Sequence, residues 1–157
     1  FFPDQCRHCL AAPCLLWADN SDAIFQDQTT GAVLYTEKTQ NLNTDAIIGV
    51  CPYDVPRGGG DGLLAKCDLC NARIKQGLEP ACVQTCPTGC LNFGSLKDIR
   101  AMALERSERV KQTYPAARLL DADKVRVIFL TAFAPNKDHE KASSFDPTLW
   151  QTRKSPI

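Results

Sequence analysis

Nine cysteines, at positions 6, 9, 14, 51, 67, 70, 82, 86 and 90, constrain this chain more than any other feature. An odd number does not close into a simple disulfide framework, and the tight pairs Cys6-x2-Cys9 and Cys67-x2-Cys70 point to metal or redox chemistry. A structural zinc site takes two such pairs, or Cys/His pairs, as one closed tetrahedral set. The pattern here differs: a triplet Cys6-x2-Cys9-x4-Cys14, a remote Cys51-Pro52, and a group Cys67-x2-Cys70-x11-Cys82-x3-Cys86-Pro87.

Triplets followed by a distant Cys-Pro are the habit of ferredoxins, in which the fourth cysteine of one run ligates the cluster of the other. Thiolates suit iron because they are soft, strongly donating ligands. Counting back from Cys51 with the spacing C-x2-C-x2-C-x3-C-P puts the expected ligands at Asn41, Thr44 and Ile47, none of them cysteine. The same step forward from Cys14 falls on Ala18. By the crossing rule those four positions make one vacated site, and Cys6, Cys9, Cys14 and Cys51 make its complete [4Fe-4S] twin.

In the second group the crossing rule assigns Cys67, Cys70 and Cys82 to one cluster and lends Cys86 to another, each completed by a cysteine run outside this sequence. The alternative is a single cluster closed by Cys67, Cys70, Cys82 and Cys86 alone. Cys90 is surplus in either arrangement and is expected to be a small buried residue packed near a cluster.

The rest of the sequence narrows the function. Lys+Arg and Asp+Glu both total 18, giving a formal net charge of +0 with the signs interspersed, so there is no footprint for nucleic acid or an anionic membrane. The longest apolar run, "VRVIFLTAFA", is broken by Arg126 and falls far short of the roughly 20 residues that span a bilayer. The start "FFPDQC" has neither Met nor a signal-like pattern, and residues upstream of Phe1 are expected. "PRGGGDGLLAK" lacks the phosphate-loop pattern and reads as a flexible turn. His8 is expected to face solvent and His139 to sit in a solvated tail; with only these two histidines, neither beside a candidate Ser nucleophile, hydrolytic catalysis has little support. Arg7 and Lys66 flank ligands and are either surface charges or groups that raise a cluster's potential. Trp17 and Trp150 are expected to be packing residues.

The expected fold is α+β: a ferredoxin-like iron-sulfur domain of short hairpins and helices over residues 1–94, then a C-terminal helix, strand and partner-wrapping extension over 95–157. "AIFQD" and "AVLYT" read as a hairpin, "LCNARIKQG" as a helix ended by Gly77, and "EPACVQTC" as a helix with a proline in its first turn. "SLKD" opens a longer helix with Leu96, Ile99, Ala103, Val110 and Tyr114 near one face, stopped by Pro115. "KVRVIFLTAF" reads as a strand, and the polar tail from Asn136 as a segment lying on a surface or partner.

The stretches "CRHCLAAPC", "CPYDVP", "KCDLCNARIKQGLEPACVQTCPTG" and "NFG" resemble the four-cluster ferredoxin-type subunits that accompany molybdenum or tungsten bis-pterin oxidoreductases. "FFPDQCRHC", "TGAVLYTEK" and the helix ending "KQTYP" most resemble the small subunit of tungsten-containing formate dehydrogenases from sulfate-reducing bacteria. The resemblance implies a non-catalytic electron-transfer subunit with three [4Fe-4S] clusters in total. Its partners would be a large catalytic subunit carrying a molybdenum or tungsten bis-pterin and an external acceptor such as a multihaem cytochrome. It also implies a periplasmic location reached with the exported partner, a cytoplasmic one being the alternative. This chain departs from the four-cluster pattern by the vacated site, by lacking the first cysteine run and by lacking the C-terminal membrane helix of some relatives. The rival from another class is a zinc-stabilised interaction module; a free soluble ferredoxin is a further one, disfavoured by the neutral charge and the long helix and tail.

Overall fold

The computed structural model describes residues 5–19 and 22–133. Its elements are short, as expected of a chain whose loops must reach inward with their thiols. A helix α1 (Pro13–Trp17) follows the first cysteine pair, with proline supplying the preset φ of a first turn. Strands β1 (Ile24–Gln26) and β2 (Val33–Tyr35) form the antiparallel hairpin read from the sequence, with Phe25 opposite Leu34. Its turn depends on Gly31, at φ 72°, where a Cβ would run into the Arg126 guanidinium.

A 3-10 turn (Glu37–Asn41) leads to α2 (Thr44–Gly49), capped by the Asn43 side chain, which accepts from Ala46 N at 3.0 Å. The glycine-rich segment is the turn of a small hairpin, β3 (Arg57–Gly58) with β4 (Leu64–Ala65). Two single-turn helices follow, α3 (Asn71–Lys75), ended by Gly77 at φ 74°, and α4 (Ala81–Gln84). Pro80 sits at the cap of α4, one place earlier than the expected first turn.

The longer helix α5 (Leu96–Lys111) is capped by Ser95, whose Oγ accepts from Asp98 N at 3.2 Å. Leu96, Ile99, Ala103 and Val110 of the expected face are half-buried, whereas Tyr114 lies past the helix and is exposed, edge-on to Phe133 with centroids 5.8 Å apart.

The expected C-terminal strand is shorter than its sequence pattern. Only Phe129–Thr131 (β6) is strand, paired antiparallel with Arg118–Leu120 (β5), a partner that the sequence reading did not identify. The residues before it bond elsewhere: Arg126 N and Val127 N both donate to Arg7 O at 3.0 Å, while Leu10 N donates to Lys124 O at 2.9 Å. The segment thus backs the first cysteine loop rather than extending a sheet. Trp150, His139 and the tail lie outside the described residues.

The apolar core surrounds Cys9. It contains Ala12, Ala18, Ala23, Ile24, Val33, Ile47, Tyr53, Val55, Leu64 and Val125. Two of the four vacated ligand positions, Ala18 and Ile47, are therefore packing residues of this core, while Asn41 is exposed and Thr44 half-buried.

Candidate iron-sulfur site

Cys6, Cys9, Cys14 and Cys51 line a single cavity. These are the four that the crossed spacing joins, although 37 residues separate Cys14 from Cys51 by number. Three elements bring them together. The loop before α1 carries Cys6 and Cys9, α1 carries Cys14, and the end of α2 delivers Cys51, with Ile47 anchoring α2 in the core. Val33 and Tyr35, two apart on β2 and so on one face, close another wall, with Pro52, Tyr53, Val55, Pro56, Arg7 and Lys66 around the rest. Sequence reasoning did not identify Tyr35 and Tyr53 as site residues. The alternation of β2 and the Cys51-x-Tyr53 spacing were the available signals.

Burial is the main force on the Cys9, Cys14 and Cys51 thiols. It pushes Cys14 up to about 11, against the opposing pull of the Tyr35 hydroxyl, and raises Cys9 further, helped by the neighbouring Cys6, Cys14 and Cys51. Burial also raises Cys51, while the backbone amides of Val55, Tyr53 and Asp54 favour its thiolate. Several thiolates cannot share such a hollow unless metal cations neutralise them, which is the condition that an iron-sulfur cluster meets. Among the described residues no three His, Cys, Asp or Glu side chains converge on a point that would hold a single ion; the four cysteines border a wider space. The Tyr35 hydroxyl is buried and faces Cys14 without meeting any protein acceptor in hydrogen-bonding geometry, so a donor is left over for sulfur in that space. The donor set and the cavity fit a [4Fe-4S] group held by Cys6, Cys9, Cys14 and Cys51.

The two Cys-x2-Cys loops share a local geometry. His8 (φ 45°) and Leu69 (φ 61°), each two residues after a cysteine, are left-handed, and each donates its backbone N–H to that cysteine: His8 N to Cys6 Sγ and Leu69 N to Cys67 Sγ, both at 3.4 Å. Such inward-turned amides suit an anionic sulfur. The surroundings differ. In the first group Cys9 is buried and Cys6, Cys14 and Cys51 are half-buried, whereas Cys67, Cys82 and Cys90 are exposed and Cys70 and Cys86 half-buried.

Three sequence expectations need correction, and for Arg7 one of two alternatives is removed. His8 does not face solvent: it is 0% exposed, and its Nδ1 accepts from Val33 N at 3.0 Å. Burial, then the Lys66 and Arg126 charges, lower its pKa to about 3, so the ring is neutral. Arg7 is not a surface charge but is 2% exposed, donating from Nη1 to Val127 O at 3.0 Å, with its guanidinium 5.0 Å from the Tyr53 ring centroid. Cys90 is not buried, and its Sγ lies 3.5 Å from Cys86 Sγ. Trp17 lies at the surface of α1, with Leu16 beside it also exposed. In each case the local sequence carried no information about the distant segment that covers or fails to cover the side chain.

A four-cysteine cavity beside a second cysteine group, in a fold of short helices and hairpins, defines an iron-sulfur protein of the ferredoxin type. Residues 1–96 match the family described as 4Fe-4S dicluster domain, and the chain belongs to that family. It is similar to "Formate dehydrogenase subunit beta" of Megalodesulfovibrio gigas, 53% identical over 90% of this chain and 68% of that protein. It is 41% identical to "Formate dehydrogenase 2 subunit beta (cytochrome c-553)" of Nitratidesulfovibrio vulgaris, over 88% of this chain and 65% of the relative. The "Formate dehydrogenase-O iron-sulfur subunit" of Escherichia coli is 36% identical over 75% of this chain and 39% of its own length. The chain thus spans about two thirds or less of the length of these relatives. No helix among the described residues is long and apolar enough to cross a membrane.

Proposed function

We propose that this chain is a non-catalytic electron-transfer subunit of a formate dehydrogenase. It conducts electrons through [4Fe-4S] clusters between a catalytic subunit bearing a molybdenum or tungsten bis-pterin and an external redox protein such as a multihaem cytochrome. The observation that carries this reading is the convergence of Cys6, Cys9, Cys14 and Cys51 on one cavity. When bound, an all-cysteine [4Fe-4S] group accepts and returns one electron. The chain's own residues hold it, exclude water on the β2 side, and supply amide donors to sulfur. Cys67, Cys70, Cys82 and Cys86 are proposed as ligands of the further clusters; their exposure suits a site completed by residues beyond them. The catalytic chemistry belongs to the partner, and residues 95–157 serve as the extension that docks on it. The cytochrome c-553 in one relative's name supports a cytochrome acceptor and a periplasmic location.

The test is anaerobic purification with the accompanying subunits, followed by iron and acid-labile sulfide analysis and electron paramagnetic resonance after adding formate. The reading expects both elements in [4Fe-4S] proportion and cluster signals appearing with formate. A protein without labile sulfide overturns it, and clusters that dithionite reduces but formate does not would overturn the formate assignment alone.

A further inference from the structure

The Tyr35 hydroxyl is the one group lining the four-cysteine cavity that the fold leaves buried without an acceptor among the described residues. A buried hydroxyl with no partner costs roughly 1–3 kcal/mol, so its position calls for a physical reason. The backbone around it is firmly held. At the start of β2, Val33 N donates to His8 Nδ1 at 3.0 Å, and Val33 O accepts from Lys66 Nζ. On the neighbouring strand Ile24 pairs with Tyr35 and is itself fully buried. The side chain therefore points into the cavity because β2 is clamped on both sides. Cys6, Cys14 and Cys51 line the same cavity as Tyr35. Lys66 completes the arrangement: its ammonium lines the same cavity, lies 4.6 Å from the Tyr35 ring centroid and donates to Cys67 O at 3.1 Å.

We infer that Tyr35 and Lys66 are the positioning residues that set the reduction potential of the cluster in this cavity, Tyr35 by donating its hydroxyl to the Cys14 sulfur and Lys66 by placing a cation beside it. This rests on the cluster reading above. Reduction adds one negative charge to the cavity, and a hydrogen bond to sulfur together with a fixed cation stabilises that charge more than the oxidised form, raising the potential. The cation over the Tyr35 ring also polarises its O–H toward sulfur. Because Lys66 also bonds the carbonyl of Cys67, the same ammonium stands between the two cysteine groups. It would favour an electron on either side of it.

The experiment is a redox titration followed by electron paramagnetic resonance on the complex carrying Tyr35→Phe, Lys66→Met or Lys66→Arg. Iron and labile sulfide are measured on each sample. Tyr35→Phe removes one oxygen and keeps the packing, so cluster content should be unchanged while one midpoint potential moves to a more negative value. An exchangeable-proton coupling near that reduced cluster should disappear. Lys66→Met should shift the same potential downward and Lys66→Arg should largely restore it. A loaded Tyr35→Phe variant with every potential and proton coupling unchanged overturns the role of Tyr35. A Lys66→Met variant that loses iron without shifting any potential makes Lys66 purely structural and overturns its role. Absence of sulfide in the unmodified complex overturns the cluster reading itself, an outcome distinct from both.

Discussion

The guanidinium carbon of Arg7 lies 3.7 Å from the centroid of the Phe129 ring, so the first cysteine loop and the C-terminal hairpin meet through one cation-π contact. The backbone repeats the link, since Arg126 and Val127 both donate to the Arg7 carbonyl. Burial lowers the Arg7 pKa to about 10, with Tyr53 and Asp121 opposing the shift, so the side chain remains charged at neutral pH. Replacing Arg7 by Met keeps much of the stem but removes the charge-assisted bond to Val127 O and the ring contacts. We expect a loss of about 2–4 kcal/mol, read as a lower denaturant midpoint of the metal-loaded protein.

Ile47 occupies a position where the ferredoxin spacing calls for a ligand, yet it is packed in the core with Ala18 and Ile24. Ile47→Ala should cost about 2–4 kcal/mol through lost burial and the cavity left behind. Thr44→Ala, at another vacated position but half-buried, should cost less than half of that. Chemical denaturation of the two variants side by side checks the contrast.

Cys51 and Cys90 are expected to behave oppositely. Cys51→Ser should remove one cluster's worth of iron and one paramagnetic signal, because its sulfur borders the cavity with three others. Cys90→Ser should retain full iron and labile sulfide, since Cys90 is exposed and surplus to the proposed ligand sets. Elemental analysis of both variants, prepared anaerobically, checks this.

Asp27 accepts from Thr29 N at 2.9 Å and Thr30 N at 3.0 Å, and pairs with Lys75 of α3. Lys75 first, and these amides after it, hold its carboxyl well below the usual carboxylate range. The folded pKa lies below the unfolded one, near 4. The contribution is therefore complete above about pH 4 and is lost as pH falls through the depressed value. Asp27→Asn should be less stable than the parent at pH 7, with the gap narrowing below about pH 4. Denaturation midpoints measured from pH 7 down to about pH 3 follow this.

The grouping of Cys6, Cys9, Cys14 and Cys51 on one cavity was legible because sequence spacing is a covalent property: the steps from Cys6 to Cys14 and the Cys51-Pro52 pair need no tertiary information to be read. The β1–β2 hairpin and the Ser95 cap were legible for the same reason, being set by neighbours a few residues apart. His8, Arg7 and β5 were not. The first two are polar residues in a short loop, and residues remote in the chain, Val33, Tyr53, Val127 and Phe129 among them, cover them. Strand β5 is three residues long and exists through its pairing with β6. The length of β6 was overestimated because the backbone N–H groups of Arg126 and Val127 bond the Arg7 carbonyl of the cysteine loop instead of a ladder.

Left-handed His8 and Leu69, each handing an amide to the sulfur two residues back, make the two loops local copies of one another. Identical nearest donors cannot separate the energies of two neighbouring sites. Any difference in potential between them must therefore come from what lies beyond the loops: the Tyr35 hydroxyl and the cavity wall at one, and at the other whatever covers Cys67 in the assembled complex. A substitution outside both loops would then re-aim the current while leaving every cysteine in place.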